Sequence, residues 1–212
     1  MAEKSPVLEK TYRDYLKRVA ALDLSGKQDM LGIRLTREAV FIPFFGRDYL
    51  VSSRGVAGPD GAQPIHAVSV VLCQYLLLAP QSLPEGEDDW VSYRDFRDAA
   101  PFAGAFANNT EKRIAGNFGD RPELLAKACE KLGGFPVETS VCCDLAMQVY
   151  GLPRVPVLLV FHAADEEFGP ECSVLFEKRA GYFLDMECLA IVGWMFSEYL
   201  ARLAGSGGQS LI

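Results

Sequence analysis

The strongest concentration of chemically active side chains follows the apolar run Val155–His162. This run ends in one of the two histidines of the chain, and Asp165, Glu166 and Glu167 begin three residues later. An imidazole beside several carboxylates can transfer protons or bind a cation. The same pattern is also typical of a hydrogen-bonded histidine at a strand end, followed by a solvated turn. Both interpretations stay open, and these four residues form the first candidate ligand or cation site.

Three further positions offer polar or aromatic groups to a ligand. Asn108 and Asn109 are neighbours within a helical stretch, where asparagine has a poor propensity, so a hydrogen-bonding role competes with simple surface placement. Trp90 could line a pocket, although large aromatic side chains usually belong to the core. We treat these residues as weaker pocket candidates.

Most catalytic signatures are absent from the sequence. It contains no GxSxG, Walker, GxGxxG, HExxH or CxxC pattern, and only two histidines, His66 and His162. The six cysteines have no ligand spacing, so we expect reduced thiols without an iron–sulfur cluster. They are Cys73, Cys129, Cys142, Cys143, Cys172 and Cys188. The cofactor is therefore unknown, and none of these patterns predicts a metal site.

Charge and hydropathy exclude two classes of partner. Lys and Arg total 21 against 28 Asp and Glu, which gives a net charge of −7 and disfavours binding to nucleic acid or to an anionic membrane surface. The longest apolar stretch, Ile65–Ala79, is shorter than the roughly 20 residues of a membrane span. The first ten residues lack the apolar region of a secretory signal. We expect a cytoplasmic protein.

Apolar periodicity predicts an α+β fold with a mixed, mostly antiparallel sheet and about five helices. We expect one domain, residues 1–204, followed by a flexible Gly/Ser-rich tail, residues 205–212. Apolar and polar residues alternate over residues 31–35, 40–45 and 49–51, which predicts an antiparallel meander. Pro43 favours an edge position for its strand. Val155–His162 is apolar on both faces and is the predicted central strand.

Helix ends are also marked in the sequence. Asp120 and Glu123 form a potential capping box, and Gly133–Gly134 can end the helix that follows. Asp185 can cap the last helix, which carries Phe196 on its apolar face. A further helix has its core residues four positions apart. They are Phe102, Phe106, Thr110, Ile114 and Phe118.

The order of several short patterns resembles a known family. These are Phe102–Phe118 with its asparagines, 132–134, Asp144, 152–156, 165–168, 175–176 and 182–184. Over about residues 8–202 the chain resembles a bacterial family of domains of unknown function that is found mainly in anaerobes. Some relatives carry an iron–sulfur domain of the corrinoid-protein type, which implies a link to anaerobic one-carbon or redox metabolism. That four-cysteine segment is missing here, and Asp144 joins the weaker pocket candidates.

We therefore expect an uncharacterised accessory or small-molecule-binding module, whose partner is a small molecule or a redox or corrinoid protein. One alternative is a carboxylate-dependent, metal-assisted enzyme centred on His162 and the acidic residues that follow it. Another is an adaptor for a protein partner, which would show an exposed apolar patch without a pocket.

Overall fold

Two antiparallel sheets organise the chain in the computed structural model, which describes residues 6–85 and 88–205. The first sheet has the order β1 (Arg34–Leu35), β2 (Ala39–Phe44), β3 (Arg47–Ser52), β4 (Gly55–Ala57). The second has the order β5-β9-β8-β7-β6 and contains β5 (Trp90–Ser92), β6 (Phe135–Pro136), β7 (Leu145–Leu152), β8 (Val155–His162) and β9 (Glu171–Glu177). The α+β fold class is confirmed, and the described strand pairings are all antiparallel.

The helices lie before, between and after these strands. They are α1 (Pro6–Ala20), α2 (Gln28–Leu31), α3 (His66–Leu77), α4 (Ala100–Phe106), α5 (Lys112–Phe118), α6 (Pro122–Lys131) and α7 (Met186–Gly205). Among the described residues, no helix is long and apolar enough to span a membrane. The predicted tail begins at the last residue of α7, and its positions 206–212 lie outside the described residues.

Strand β8 is the middle strand of the five-stranded sheet, as its continuous apolar run predicts. Seven of its eight residues are buried, and only His162 at its end is partly exposed. A two-residue turn, Pro153–Arg154, connects it to β7. The Arg154 guanidinium donates to the carbonyls of Asp29 and Met30, each at 2.6 Å, and so satisfies carbonyl groups at the end of α2.

The turn between β2 and β3 joins both sheets to α7. Phe45 and Gly46 have φ values of 47° and 72°, the left-handed backbone that a type I′ hairpin turn needs. The Phe45 N–H donates to the Gly151 carbonyl in β7 at 3.0 Å, and its ring stacks on Phe196 of α7 at 5.7 Å. Burial of this ring offsets the strain of a left-handed non-glycine residue.

The predicted edge position of the Pro43 strand is wrong, because β2 lies between β1 and β3. The short strand β1 nevertheless pairs only with Val40 and Phe41. Pro43 therefore lies beyond the end of β1, and its missing N–H removes no bond to that strand.

Two of the three predicted helix ends are confirmed. Asp185 Oδ1 accepts the Cys188 N–H at 2.8 Å at the start of α7, and Gly133, at φ 78°, closes α6 in a Schellman motif. The capping box at Asp120 is wrong, because α6 has Arg121 at its N-cap without a side-chain hydrogen bond. Pro122 occupies the first turn, where its fixed φ favours the helix start.

Candidate functional site

The helix that carries the apolar stripe is interrupted by one π-helical turn, Ala107–Glu111, between α4 and α5. An α-helix has 3.6 residues per turn, so a stripe with a spacing of four drifts around its axis by about 40° per step. A π turn takes up an extra residue and corrects this drift. The realigned residues Phe106, Thr110, Ile114 and Phe118 are all buried.

Helix α7 holds this π turn in place. The Ser197 hydroxyl, which is fully buried, lies within hydrogen-bond distance of the Asn109 carbonyl at 2.9 Å and of the Trp194 carbonyl in its own helix at 2.8 Å. A Cβ atom at Gly193 would lie 2.3 Å from the Phe106 ring, so only glycine permits this close contact. The Phe106 ring also stacks on Tyr93 at 4.3 Å, and the Tyr93 hydroxyl donates to the Met186 carbonyl at 2.7 Å.

The π turn forms one wall of a partly enclosed cleft of about 200 Å³, which we call the Glu111 cleft. The end of β5, the 3₁₀ turn after it and α4 form most of the remaining lining, and β9 contributes one residue. The cleft is lined by Ser92, Tyr93, Arg94, Ala103, Phe106, Ala107, Glu111 and Ser173. It thus combines an aromatic wall with two serine hydroxyl groups, one carboxyl group and one guanidinium group.

The Glu111 carboxyl group lies at an open part of the β9 edge. Strand β5 pairs with β9 only from Leu175 to Glu177. Beyond that point, the Val174 N–H donates to Glu111 Oε1 at 3.2 Å, so a side chain takes the place of a strand partner. Glu111 is half-buried and, unlike the acidic residues of the turn after β8, does not face water freely.

The histidine and carboxylates that the sequence singles out lie at the end of β8. His162 is paired in register with Glu171 of β9, and Asp165, Glu166 and Glu167 are exposed in the turn between these strands. Asp144 belongs to the same end of the sheet, because its Oδ2 accepts the Ala163 N–H at 2.8 Å.

Asp165 organises that turn through its own backbone contacts. Its Oδ1 accepts the N–H groups of Phe168 and Glu167 at 2.7 and 2.8 Å, and these hydrogen bonds lower the pKa of the Asp165 carboxyl below its ordinary value. Among residues 6–85 and 88–205, no three His, Cys, Asp or Glu side chains are grouped so that they could hold a metal ion. Cation binding at this turn stays a prediction, which melting curves with divalent cations can test by mass action.

Of the four weaker pocket candidates, only Asp144 lies beside this turn. Asn108 and Asn109 are exposed residues of the π turn, and Asn108 Oδ1 accepts a hydrogen bond from Lys112 at 3.0 Å. Trp90 begins β5 opposite Glu177 and is half-buried. These three residues therefore flank the elements that build the Glu111 cleft without lining it.

Residues 23–199 match the family described as "Domain of unknown function (DUF3786)". The chain belongs to this family. The expected membership in a family of domains of unknown function is confirmed. The match includes both the Glu111 cleft and the turn between β8 and β9, the acidic turn, which carries Asp165, Glu166 and Glu167. No curated protein and no solved structure shows significant similarity to the chain.

Burial gives this DUF3786 domain an unusual carboxyl group. Desolvation raises the pKa of Glu111 above its ordinary value of 4.5, and the Val174 N–H and the Arg94 charge only partly oppose it. The folded state therefore binds the proton of Glu111 more tightly than the unfolded state does. The stability from this binding is fully present below pH 4.5 and is lost as the pH rises through the raised pKa.

We expect Glu111→Gln to become more stable relative to the parent protein as the pH rises above 4.5. Glutamine keeps an acceptor for the Val174 N–H and removes the desolvated charge. Urea unfolding from about pH 4 to about pH 7.5 measures the difference. The exposed Glu130→Gln, on α6, is the matched control. Parallel stability curves for parent and Glu111→Gln would contradict the raised pKa.

The cysteines of the DUF3786 domain differ in burial. All six are free, and burial raises the pKa values of the Cys73 and Cys129 thiols to about 12. Desolvation also raises the pKa values of Cys172 and Cys188, whereas Cys142 is exposed. A thiolate is the reactive form, so buried thiols with raised pKa values react slowly.

We therefore expect a thiol reagent to modify Cys142 first in the folded protein, and the four raised-pKa cysteines only after unfolding. Denaturation without reductant should release six reactive thiols. Mass spectrometry of digested samples locates the modified residues. Fewer than six thiols, or an iron–sulfur absorption band, would contradict the prediction of reduced cysteines without a cluster.

Sequence reasoning missed Glu111, although one signal pointed toward it. A stripe with four-residue spacing over 17 positions, Phe102–Phe118, does not fit a continuous α-helix. This mismatch indicates an extra residue within the helix, and π turns often occur at functional sites. The asparagines mark the same turn, but the pairing of Glu111 with the β9 edge depends on a contact 63 residues apart in the chain.

Proposed function

We propose that this domain is a small-molecule-binding module and that its ligand places a cationic group against Glu111 in the Glu111 cleft. The observation that carries the proposal is a half-buried carboxyl group, with a pKa raised by desolvation, in the wall of a partly enclosed cleft. A desolvated carboxylate is costly without a counter-charge, and a bound cation supplies one. Perturbed carboxyl groups in clefts are typical of functional sites.

Size limits the ligand. A cleft of about 200 Å³ is smaller than the roughly 300–1,000 Å³ of pockets that bind drug-sized molecules. The aromatic wall of Tyr93 and Phe106 is fixed by stacking and by Gly193, so the cleft is formed before binding. A small organic ammonium ion fits this combination of volume, apolar wall and single half-buried carboxyl group.

Three larger clefts of the described chain have less support as sites for a cation. In the smallest of them, about 280 Å³, the one carboxyl group is that of Asp60, which is exposed. Two are larger still. One, of about 510 Å³, lies between the end of α1 and the first sheet, and its charged lining residues Arg37, Glu38 and Arg54 are exposed. The other, of about 520 Å³, lies at the start of α7, where Asp185 is exposed and already caps the helix. Neither combines a half-buried charge with a rigid wall.

The alternative functions also have weaker support. A carboxylate-dependent enzyme centred on His162 would use Asp165, Glu166 and Glu167, which are exposed to water. An adaptor needs an apolar surface, and the exposed ring pair Phe135 and Tyr150, 6.5 Å apart, is far smaller than a standard interface of about 1,600 Å². The resemblance also implies an accessory role beside a redox or corrinoid protein. That role is compatible with ligand binding, and the Glu111 cleft gives no support for or against it.

Titration with ethylammonium, followed by the backbone amide NMR signals, tests the proposal. We expect signals of Val174 and of the π turn to shift, and Glu111→Gln to weaken binding by about 10- to 100-fold, the usual value of a hydrogen bond to a charged group. The exposed Glu130→Gln should bind like the parent protein. Equal affinity in Glu111→Gln and parent, or no shift at these positions, would disprove it.

A further inference from the structure

The Glu111 cleft contains a second charged group, Arg94, in the 3₁₀ turn after β5. Its side chain is 79% exposed, and its contact with Asp95 is long, with 4.0 Å between Nε and Oδ1. The Arg94 charge acts on the Glu111 carboxyl group, yet the described ion pairs within 4.0 Å do not join these two residues. Two side chains of opposite charge thus line one cleft, and no described ion pair joins them.

We infer that the Glu111 cleft binds a small zwitterion of the α-amino acid class, with its ammonium group at Glu111 and its carboxylate at Arg94. The inference rests on the proposed function and adds a second recognition group to it. A guanidinium group presents a planar fork of donors that matches a carboxylate, whereas a simple amine gives it nothing to bind.

The rest of the lining agrees with this ligand class. Ala103, Ala107 and the stacked rings of Tyr93 and Phe106 offer an apolar surface to a small side chain. Ser92 and Ser173 can donate or accept hydrogen bonds beside the charged groups. A zwitterion also neutralises the half-buried carboxylate and the rim guanidinium together, so neither charge is left without a partner on binding.

Three related probes, alanine and the two fragments that lack one of its charged groups, separate the contributions of the two charges. Alanine carries both groups, ethylammonium only the amine, and propionate only the carboxylate. Their dissociation constants are measured by amide NMR titration on parent, Arg94→Gln and Glu111→Gln proteins. Arg97→Gln is the matched control, because Arg97 is also exposed and lies outside the Glu111 cleft.

We expect alanine to bind the parent about two- to fivefold more tightly than ethylammonium, and propionate not to bind, since an exposed guanidinium contributes modestly. This advantage should disappear in Arg94→Gln and persist in Arg97→Gln. If alanine binds no tighter than ethylammonium, or if its advantage survives in Arg94→Gln, the zwitterion inference is overturned while the proposed function stands. If neither amine binds, or if binding survives in Glu111→Gln, both fail.

Discussion

Arg179→Met is expected to lower the free energy of unfolding by about 3–5 kcal/mol. Arg179 and Glu177 are 6% and 2% exposed, and Arg179 Nε donates to Glu177 Oε2 at 2.5 Å. Removing the guanidinium leaves the Glu177 carboxylate buried without its ionic partner, which costs far more than the pair itself contributes. Urea unfolding near neutral pH measures the loss.

A neighbouring residue provides the control for this prediction. Lys178→Met removes an adjacent cation whose 3.9 Å ion pair with Asp89 is solvent-exposed, so a change of at most about 1 kcal/mol is expected. In the double variant Glu177→Gln with Arg179→Met, the glutamine still accepts the Asp88 N–H, and the loss should be smaller than in Arg179→Met. If Arg179→Met is as stable as Lys178→Met, the buried ion pair between Arg179 and Glu177 is contradicted.

Phe196→Ala is expected to lower the free energy of unfolding by about 3–5 kcal/mol. The substitution deletes a fully buried aromatic ring at the contact of both sheets with α7. The Phe196 ring stacks on Phe45, whose left-handed backbone is held by that packing and by the hydrogen bond to Gly151. For a chain of this length, such a loss lowers the melting temperature by roughly 6–20 °C.

The same substitution at an exposed ring is the control for Phe196→Ala. Phe168, at 69% exposure in the acidic turn, should change stability by no more than about 0.5 kcal/mol when replaced by alanine. If Phe196→Ala has the same melting temperature as the parent protein, the apolar face of α7 is assigned wrongly.

The parts of the fold that depend on local pattern could be predicted from the sequence. Val155–His162 is apolar on both faces because it is the middle strand of five. Asp185 and Gly133 mark the ends of their helices because side-chain caps and left-handed glycine act within one turn of chain. The capping box at Asp120 failed for an equally local reason, since Pro122 competes for the helix start.

The candidate site could be predicted only in part, because its groups come from distant segments. His162 and the carboxylates after it are close in sequence and could be recognised, but their exposure depends on the turn that Asp165 builds. Glu111 is inconspicuous in the sequence. Its burial requires the π turn, the early end of β5 and the open edge of β9 to meet in one place.

The pKa of the Glu111 carboxyl group, followed by ¹³C NMR with Glu111→Gln to assign the signal, tests the central claim most directly. In the free protein, the pKa should lie above 4.5, because burial disfavours the charged form. Saturating ethylammonium should lower it, because a bound cation favours the carboxylate. A pKa at or below 4.5 that does not change with ethylammonium would contradict a ligand-binding role for the Glu111 cleft.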